Sequence, residues 1–151
     1  MQPRVKRIAG FEVERHVLAF VEAELRQYPA RKQEAARLEA DLIHRTPRRE
    51  AGMPRSGRVP DPTTASAMSL VTNRRLEWLR AWCDLVEETL NSLPNELQAL
   101  IHEVYFRGDS TMAGAALSLG VDRSTLFRRR DEALLPFVAV LVGDQALIYP
   151  A

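Results

Sequence analysis

The residues with the clearest potential for chemistry lie between Arg123 and Arg130, where guanidinium, hydroxyl and aromatic side chains cluster. Guanidinium groups bind phosphate oxygens or the O6 and N7 atoms of guanine, and hydroxyl groups bind phosphates or base edges. An exposed phenylalanine can contact the methyl group of thymine. These residue types therefore predict contacts with double-stranded DNA. The candidate residues are Arg123, Ser124, Thr125, Phe127, Arg128 and Arg130, with Arg107 in support.

Three short helices are predicted to position these side chains. The first runs from about Asn95 to Phe106, and the second from about Met112 to Leu119. The third runs from Arg123 to about Leu134 and carries the candidate residues on its outer side. Gly108 is expected to end the first helix in the left-handed conformation that glycine adopts easily. This order is the helix-turn-helix pattern, in which the last helix enters the major groove of DNA.

The turn between the second and third helices has the residues that this pattern needs. Gly120 takes a position that requires a positive φ angle, and the small side chain of Ala116 allows the helices to cross closely. Asp122 is a suitable N-cap, because its carboxylate can accept backbone N–H groups of the next turn. The shared apolar contact is expected from Leu119, Val121 and Leu126.

One position departs from the pattern. Three residues after Leu126, where an aliphatic side chain usually closes the motif, the sequence has Arg129. Ala133 and Leu134 are expected to take over that packing. An ordinary helical hairpin within a bundle is the alternative interpretation of the segment.

The whole chain is predicted to be all-α, since no strand pattern of any length stands out. The expected organisation is an N-terminal helical region at 1–43, a Pro/Gly/Arg-rich linker at 44–64, a long helix with the helix-turn-helix domain at 65–143, and a tail at 144–151. Within the first region, Tyr28-Pro29 either ends the first helix or kinks it before Ala30 to Ile43 continues.

The long helix has one apolar stripe at helical spacing. Its members are Leu76, Leu79, Trp82, Cys83, Val86 and Leu90. Trp78 lies on a neighbouring row. The two tryptophans predict a packing surface, which serves either as a dimer seam or as a contact with the N-terminal helices.

The linker is basic, with five arginines against two acids, Glu50 and Asp61. The arginines are Arg45, Arg48, Arg49, Arg55 and Arg58. They form either a flexible arm that contacts DNA phosphates or a solvated tether. In the whole chain, all but Lys6 and Lys32 of the 21 basic residues are arginines. Codon bias in a GC-rich genome explains this excess as well as phosphate binding does.

Composition excludes several other classes of function. The longest apolar run, Ala133 to Val142, is too short for a membrane span of about 20 residues. The single cysteine, Cys83, cannot form an intrachain disulfide, which together with the N-terminal sequence indicates a reducing, cytoplasmic compartment. The histidines His16, His44 and His102 stand singly, so no metal, cofactor or enzymatic activity is expected.

The segment from Leu93 to Leu134 resembles the promoter-reading region 4 of bacterial sigma factors, which also begins with a Leu-Pro helix start and ends in a helix-turn-helix. A larger part, roughly 18–143, is similar to the RinA/ArpU group of phage transcriptional regulators. Residues Glu22 to Pro29 match that group's Glu-x-Glu-Leu-x-x-Tyr-Pro segment, and a Pro-rich linker, a long helix and Tyr105-Phe106 follow in the same order.

The resemblance implies a small phage-encoded transcription activator of late genes, which serve packaging and morphogenesis. The expected partners are promoter or operator DNA, host RNA polymerase and a second copy of the chain in a homodimer. Ser124, Phe127 and Arg128 are expected at base edges, and Arg123, Thr125 and Arg130 at phosphates. A DNA-binding packaging component of the small-terminase type remains the alternative, because those proteins also join a helix-turn-helix to a helical assembly domain.

Overall fold

The computed structural model describes residues 4–44 and 62–148. The elements in chain order are β1 (Val5–Ile8), β2 (Phe11–Glu14), α1 (Arg15–His44), α2 (Pro62–Ser92), α3 (Asn95–Ile101), α4 (Met112–Leu119) and α5 (Arg123–Leu141). The described chain is therefore mainly helical. The predictions for the linker arginines at 45–58 fall outside the described residues.

The all-α prediction is wrong at the N-terminus, where β1 and β2 form an antiparallel hairpin with Val5 opposite Glu14. The turn is made by Ala9 and Gly10, whose φ angles are 46° and 86°. Two positive φ angles in a two-residue turn match the right-handed twist of the flanking strands. This turn chemistry, followed by the alternating apolar residues Phe11 and Val13, is the signal that the helical prediction missed.

The C-terminal tail is tied to the same hairpin. The Glu12 amide donates to the Ile148 carbonyl at 2.7 Å, and the Ile148 amide donates to the Glu12 carbonyl at 3.0 Å. The bridge is antiparallel. Asp144–Ala146 form a short 3-10 turn, and Ile148, within the segment predicted as a tail, pairs with the edge of the hairpin.

Helix α1 does not end at Tyr28 but continues through Pro29 to His44. A proline inside a helix removes one backbone donor and strains the preceding turn, so tertiary contacts have to compensate. Tyr28 supplies them, because its ring stacks on Phe106 with centroids 4.6 Å apart and its hydroxyl donates to the Glu87 carboxylate. Of the two predicted outcomes, continuation rather than termination is correct.

The chain divides into two compact units, Met1–Pro29 with Asp84–Ala151, and Ala30–Cys83. The first unit has a core built on α5, and its fully buried side chains include Val21, Leu25, Tyr105 and Phe137. This unit contains all of the candidate DNA-binding residues.

In the second unit, the predicted stripe of α2 is confirmed as buried at Leu76, Leu79, Trp82 and Cys83. Two ion pairs join α1 and α2, Glu34 with Arg75 at 3.0 Å and Glu39 with Arg80. Helix α2 begins at Pro62, ahead of the predicted boundary at residue 65. The first turn of a helix accepts proline because its N–H groups have no partner there.

The hairpin turn generates a test of the fold. Ala9 holds a left-handed backbone, which costs an L-residue with a β-carbon about 1 kcal/mol. Ala9→Asn creates the Asn-Gly pair that this turn favours, so the free energy of unfolding should rise by about 0.5–1 kcal/mol in urea titration. The matched change Ala23→Asn, at an exposed position of α1, should lower it. A loss of stability from Ala9→Asn would contradict the turn geometry.

Candidate nucleic-acid interface

The first helix of the predicted motif matches its expected extent. Helix α3 continues into a five-residue turn of π-helix, His102–Phe106, so that the helical chain ends where the sequence placed its end. Gly108 follows with φ 83°. Tyr105 in this turn is almost fully buried, and burial raises the pKa of its hydroxyl far above the ordinary value. Tyr105 therefore anchors the π-turn in the core, while His102 is exposed.

Helix α4 and the turn after it have the geometry that the sequence predicts. The Thr111 hydroxyl caps the start of α4 by accepting the Gly114 amide at 3.0 Å. Gly120 ends the helix with φ 67° and ψ 31°. A β-carbon added there would meet nothing within 4 Å, so the requirement for glycine comes from the backbone angle alone. The Val121 amide then returns to the Ala116 carbonyl at 3.1 Å and closes the turn.

Helix α5 begins at Arg123 as predicted but extends to Leu141 instead of about Leu134, and it contains Pro136. Its second half is buried, including Leu135, Phe137 and Val138. Because apolar packing holds this half, the missing proline N–H does not end the helix.

Asp122 occupies the N-cap position of α5. Its carboxylate accepts the Ser124 hydroxyl at 2.5 Å and not the predicted backbone capping bond. This hydrogen bond is the main reason that the pKa of Asp122 lies below its ordinary value. Ser124 is predicted to contact a base edge, but its hydroxyl is bonded to Asp122 in this structure. Contact with a base would require that hydrogen bond to break.

The interior of the motif shows how Arg129 is accommodated where an aliphatic residue was expected. Leu126 and Ala116 are buried, as predicted, while Leu119 and Val121 are half-buried. A cavity of about 230 Å³ lies beside these side chains, and Arg129 lines it together with Glu96. The Arg129 guanidinium is 3.5 Å from the Glu96 carboxylate. Arg129 thus forms an ion pair at the edge of the apolar contact that an aliphatic residue would otherwise close.

The predicted replacement for that aliphatic residue is also present. Ala133 and Leu134 are fully buried. They lie four and five residues after Arg129, about one helical turn further along, so the closure of the motif moves toward the C-terminal half of α5.

The outward side of α5 carries most of the predicted contact residues. Arg123, Ser124 and Arg128 are exposed, and Thr125 and Phe127 are half-buried. The Arg123 guanidinium lies 5.7 Å from the centroid of the Phe127 ring, and the Arg130 guanidinium lies 4.9 Å from it. The aromatic ring and two cations therefore form one continuous surface rather than three separate side chains. Phe127 is held in this surface and is not a freely projecting side chain.

Arg130 is less accessible than the sequence suggested, with 16% of its side chain exposed. Its guanidinium donates to the Asp131 carboxylate at 3.1 Å. The other oxygen of Asp131 is 2.6 Å from the Lys6 ammonium on β1. Lys6, Asp131 and Arg130 therefore form a charged triad with a net charge of +1, which links the hairpin to α5.

Sequence reasoning missed Lys6 and Asp131 as parts of this site. Their contact joins residues at opposite ends of the chain, and the hairpin that brings Lys6 to α5 was itself not predicted. The one available signal was that Lys6 is one of two lysines in a chain rich in arginine.

Arg107 lies after the π-turn, outside α5. It pairs with Glu103 at 2.8 Å and with Asp109 at 3.1 Å, and 54% of its side chain is exposed. Partial burial opposes ionisation of Glu103, but hydrogen bonding from Ser110 and the charge of Arg107 outweigh it and lower its pKa. Arg107 would have to exchange these carboxylates for a phosphate in order to support DNA binding.

The start of α5 is favourable for anions. Its first turn contains no acidic residue, and the unpaired N–H groups of a helix N-terminus give it a partial positive charge. Arg123 and Arg128 add two exposed full charges, against the single carboxylate of Asp122. The arrangement can bind phosphates and donate hydrogen bonds to base edges.

In comparisons with protein-family models, curated proteins and solved structures, none matches this chain. Within 4–44 and 62–148, no group of three or more His, Cys, Asp or Glu side chains could hold a metal ion. No helix in the described ranges is both long and apolar enough to cross a membrane.

The turn at Gly120 can be tested by substitution. Gly120→Ala should lower the free energy of unfolding by about 1 kcal/mol, because the β-carbon of alanine is strained in the left-handed conformation. Gly120→Asn should lose less, since asparagine adopts this conformation more readily. Urea titration of both variants measures the difference. If both variants lost the same stability, the cause would be a steric clash. That result would contradict the open space beside Gly120.

The charged triad gives a second test. Asp131→Asn leaves both Lys6 and Arg130 without their carboxylate, so the free energy of unfolding should fall by about 3 kcal/mol. Lys6→Met keeps the Arg130–Asp131 pair and should cost about 1 kcal/mol. Urea titration of the two variants compares them. A larger loss from Lys6→Met than from Asp131→Asn would contradict the central role of Asp131.

Proposed function

We propose that this protein is a sequence-specific DNA-binding transcription regulator and that α5 reads the major groove. The observation that carries the proposal is the combination of the left-handed turn at Gly120 with an α5 whose first two turns expose Arg123, Ser124 and Arg128. The major groove admits one α-helix, and side chains near the N-terminus of that helix reach the base edges.

Each side chain has a role that follows from its position. Arg128 is exposed and has no ring or carboxylate partner among the contacts described above, so it is the best candidate for a bidentate bond to guanine. Ser124 exchanges its bond to Asp122 for a base edge. Arg123 and the half-buried Thr125 bind phosphates.

Arg130 contributes differently. Asp131 fixes its guanidinium beside the Phe127 ring, so the triad with Lys6 supplies a fixed positive charge near the DNA backbone. A preset guanidinium loses little side-chain entropy on binding. Phe127 then lies between two phosphate-binding groups and presents its edge to the groove.

The regulator is proposed to act on phage or prophage late genes, as an activator that contacts host RNA polymerase. This part rests on the sequence resemblance to the RinA/ArpU group and to sigma region 4. The helix order from α3 to α5 is compatible with it.

The proposal is tested by fluorescence anisotropy with DNA from the protein's own genomic neighbourhood and an unrelated duplex, at two salt concentrations. A regulator should bind one site about a thousandfold more tightly than the unrelated duplex. Equal, salt-sensitive binding to both duplexes would favour the small-terminase alternative. Binding to neither would contradict a DNA-binding function of the chain alone.

Arg128 provides the residue-level prediction. Arg128→Ala should weaken binding to the preferred site by about 1–3 kcal/mol and leave binding to the unrelated duplex nearly unchanged. Arg15→Ala removes the same charge from an exposed position at the start of α1 and serves as the matched control. Anisotropy titrations measure both. Equal weakening on both duplexes would assign Arg128 to phosphate binding instead of base recognition.

A further inference from the structure

Helix α2 has a second row of residues beside its buried stripe. The row is Ala67, Val71, Arg74, Trp78 and Ala81, and all five side chains are exposed. The spacings along the row are 4, 3, 4 and 3 residues, which is the 3.5-residue repeat of a helix that packs lengthwise on another helix.

This row differs from the buried stripe of α2 in the second unit. The stripe through Leu76, Leu79 and Cys83 is buried. The row through Val71 and Trp78 lies about a third of a turn away, at 100° per residue. A helix with two such rows needs a neighbour for each, and the structure buries one of them.

Trp78 is the largest member of the row. Arg31 and Arg75 lie 5.2 Å and 5.0 Å from its ring centroid and restrict its motion. Nevertheless 46% of the residue is exposed. A large aromatic side chain that is already held in place loses little entropy on binding, as is typical of residues that dominate protein interfaces.

We propose that this row is the seam of a homodimer, in which α2 of one chain packs antiparallel on α2 of a second copy. The register places Val71 opposite Ala81 of the second copy, and Arg74 opposite Trp78 of the second copy. Both pairs recur on the other side of the two-fold axis, which is the self-complementarity that a two-fold dimer requires.

Size and charge both favour this antiparallel register. Each large side chain meets a smaller or flexible one, since Val71 packs on an alanine and the aliphatic stem of Arg74 covers the exposed part of Trp78. In this register Glu77 lies level with position 75 of the second copy, about 1.5 Å along the helix axis from the level of its Arg74. Opposite charges therefore lie close together on both sides of the two-fold axis. A parallel pairing would instead place Arg74 against Arg74 and Trp78 against Trp78.

The same pattern favours a second copy over an unrelated partner. An unrelated helix would have to supply the alanine, the acid and the aromatic residue at matching positions, whereas this helix already carries all three. The seam is short compared with the roughly 800 Å² per partner of a standard interface, so the dimer is expected to dissociate on dilution. A role of the dimer in binding two half-sites rests on the proposed function, but the dimer itself does not.

The first test is sedimentation equilibrium of the full chain over a range of concentrations, without DNA. The native chain should show a monomer–dimer equilibrium, and Ala81→Glu should raise its dissociation constant at least tenfold. Ala36→Glu makes the same change at an exposed position of α1 in the same unit and should leave it unchanged. Circular dichroism confirms that both variants keep their helix content. A native chain that stays monomeric, or equal effects of the two variants, would overturn the proposal.

The second test reports the register and does not depend on variant stability. In a Cys83→Ala background, chains with Val71→Cys are mixed with mass-tagged chains with Ala81→Cys and oxidised. The antiparallel register predicts a disulfide between the two kinds of chain. It predicts none between identical chains, whose cysteines would lie about 15 Å apart along the axis, beyond disulfide reach. Crosslinking of Val71→Cys chains to each other would contradict the antiparallel seam. DNA is absent throughout, so failure of these tests is distinct from failure of DNA binding.

Discussion

The left-handed backbone at Gly120 is the constraint on which the candidate interface depends. It turns the chain between α4 and α5, which bury Ala116 and Leu126 respectively. Once Leu126 faces inward, the helical repeat places Ser124 and Arg128 on the opposite side of α5. Arg123 is exposed as the first residue of the helix. A different angle at Gly120 would rotate α5 and bury a different set of side chains. Backbone geometry at one glycine therefore selects the chemistry that α5 offers to a partner.

Electrostatics hold α5 in place from the other side. Asp131 is nearly buried and binds cations from two distant parts of the sequence, Arg130 beside it and Lys6 on the hairpin. A buried carboxylate without partners would be costly, so the hairpin and α5 stabilise each other. In the same unit, the bridge between Glu12 and Ile148 joins the segment after α5 to the hairpin. The surface around Phe127 is thereby supported by elements that lie outside the motif itself.

Local patterns in the sequence were sufficient for the motif and for the stripe of α2. Helical periodicity located Leu79 and Trp82 in the core, and turn chemistry located Gly120, because both signals come from neighbouring residues. The hairpin was missed because its pairing depends on a two-residue turn with Ala9 in an unfavourable conformation. Continuation of α1 through Pro29 depends on the distant partners of Tyr28. The partner of Asp131 on β1, Lys6, and the partner of Arg129 on α3, Glu96, likewise come from other elements, which local patterns do not encode.

The most direct test of the account is to map amide chemical shifts of the labelled full chain while the preferred DNA duplex is added. If α5 reads the major groove, the largest changes will fall on Arg123 to Arg128, with smaller changes at Lys6 and Asp131. The same titration with Arg128→Ala should then require more DNA to reach the same changes. Shifts confined to the predicted linker at 44–64, with α5 unaffected, would contradict the central role assigned to this helix.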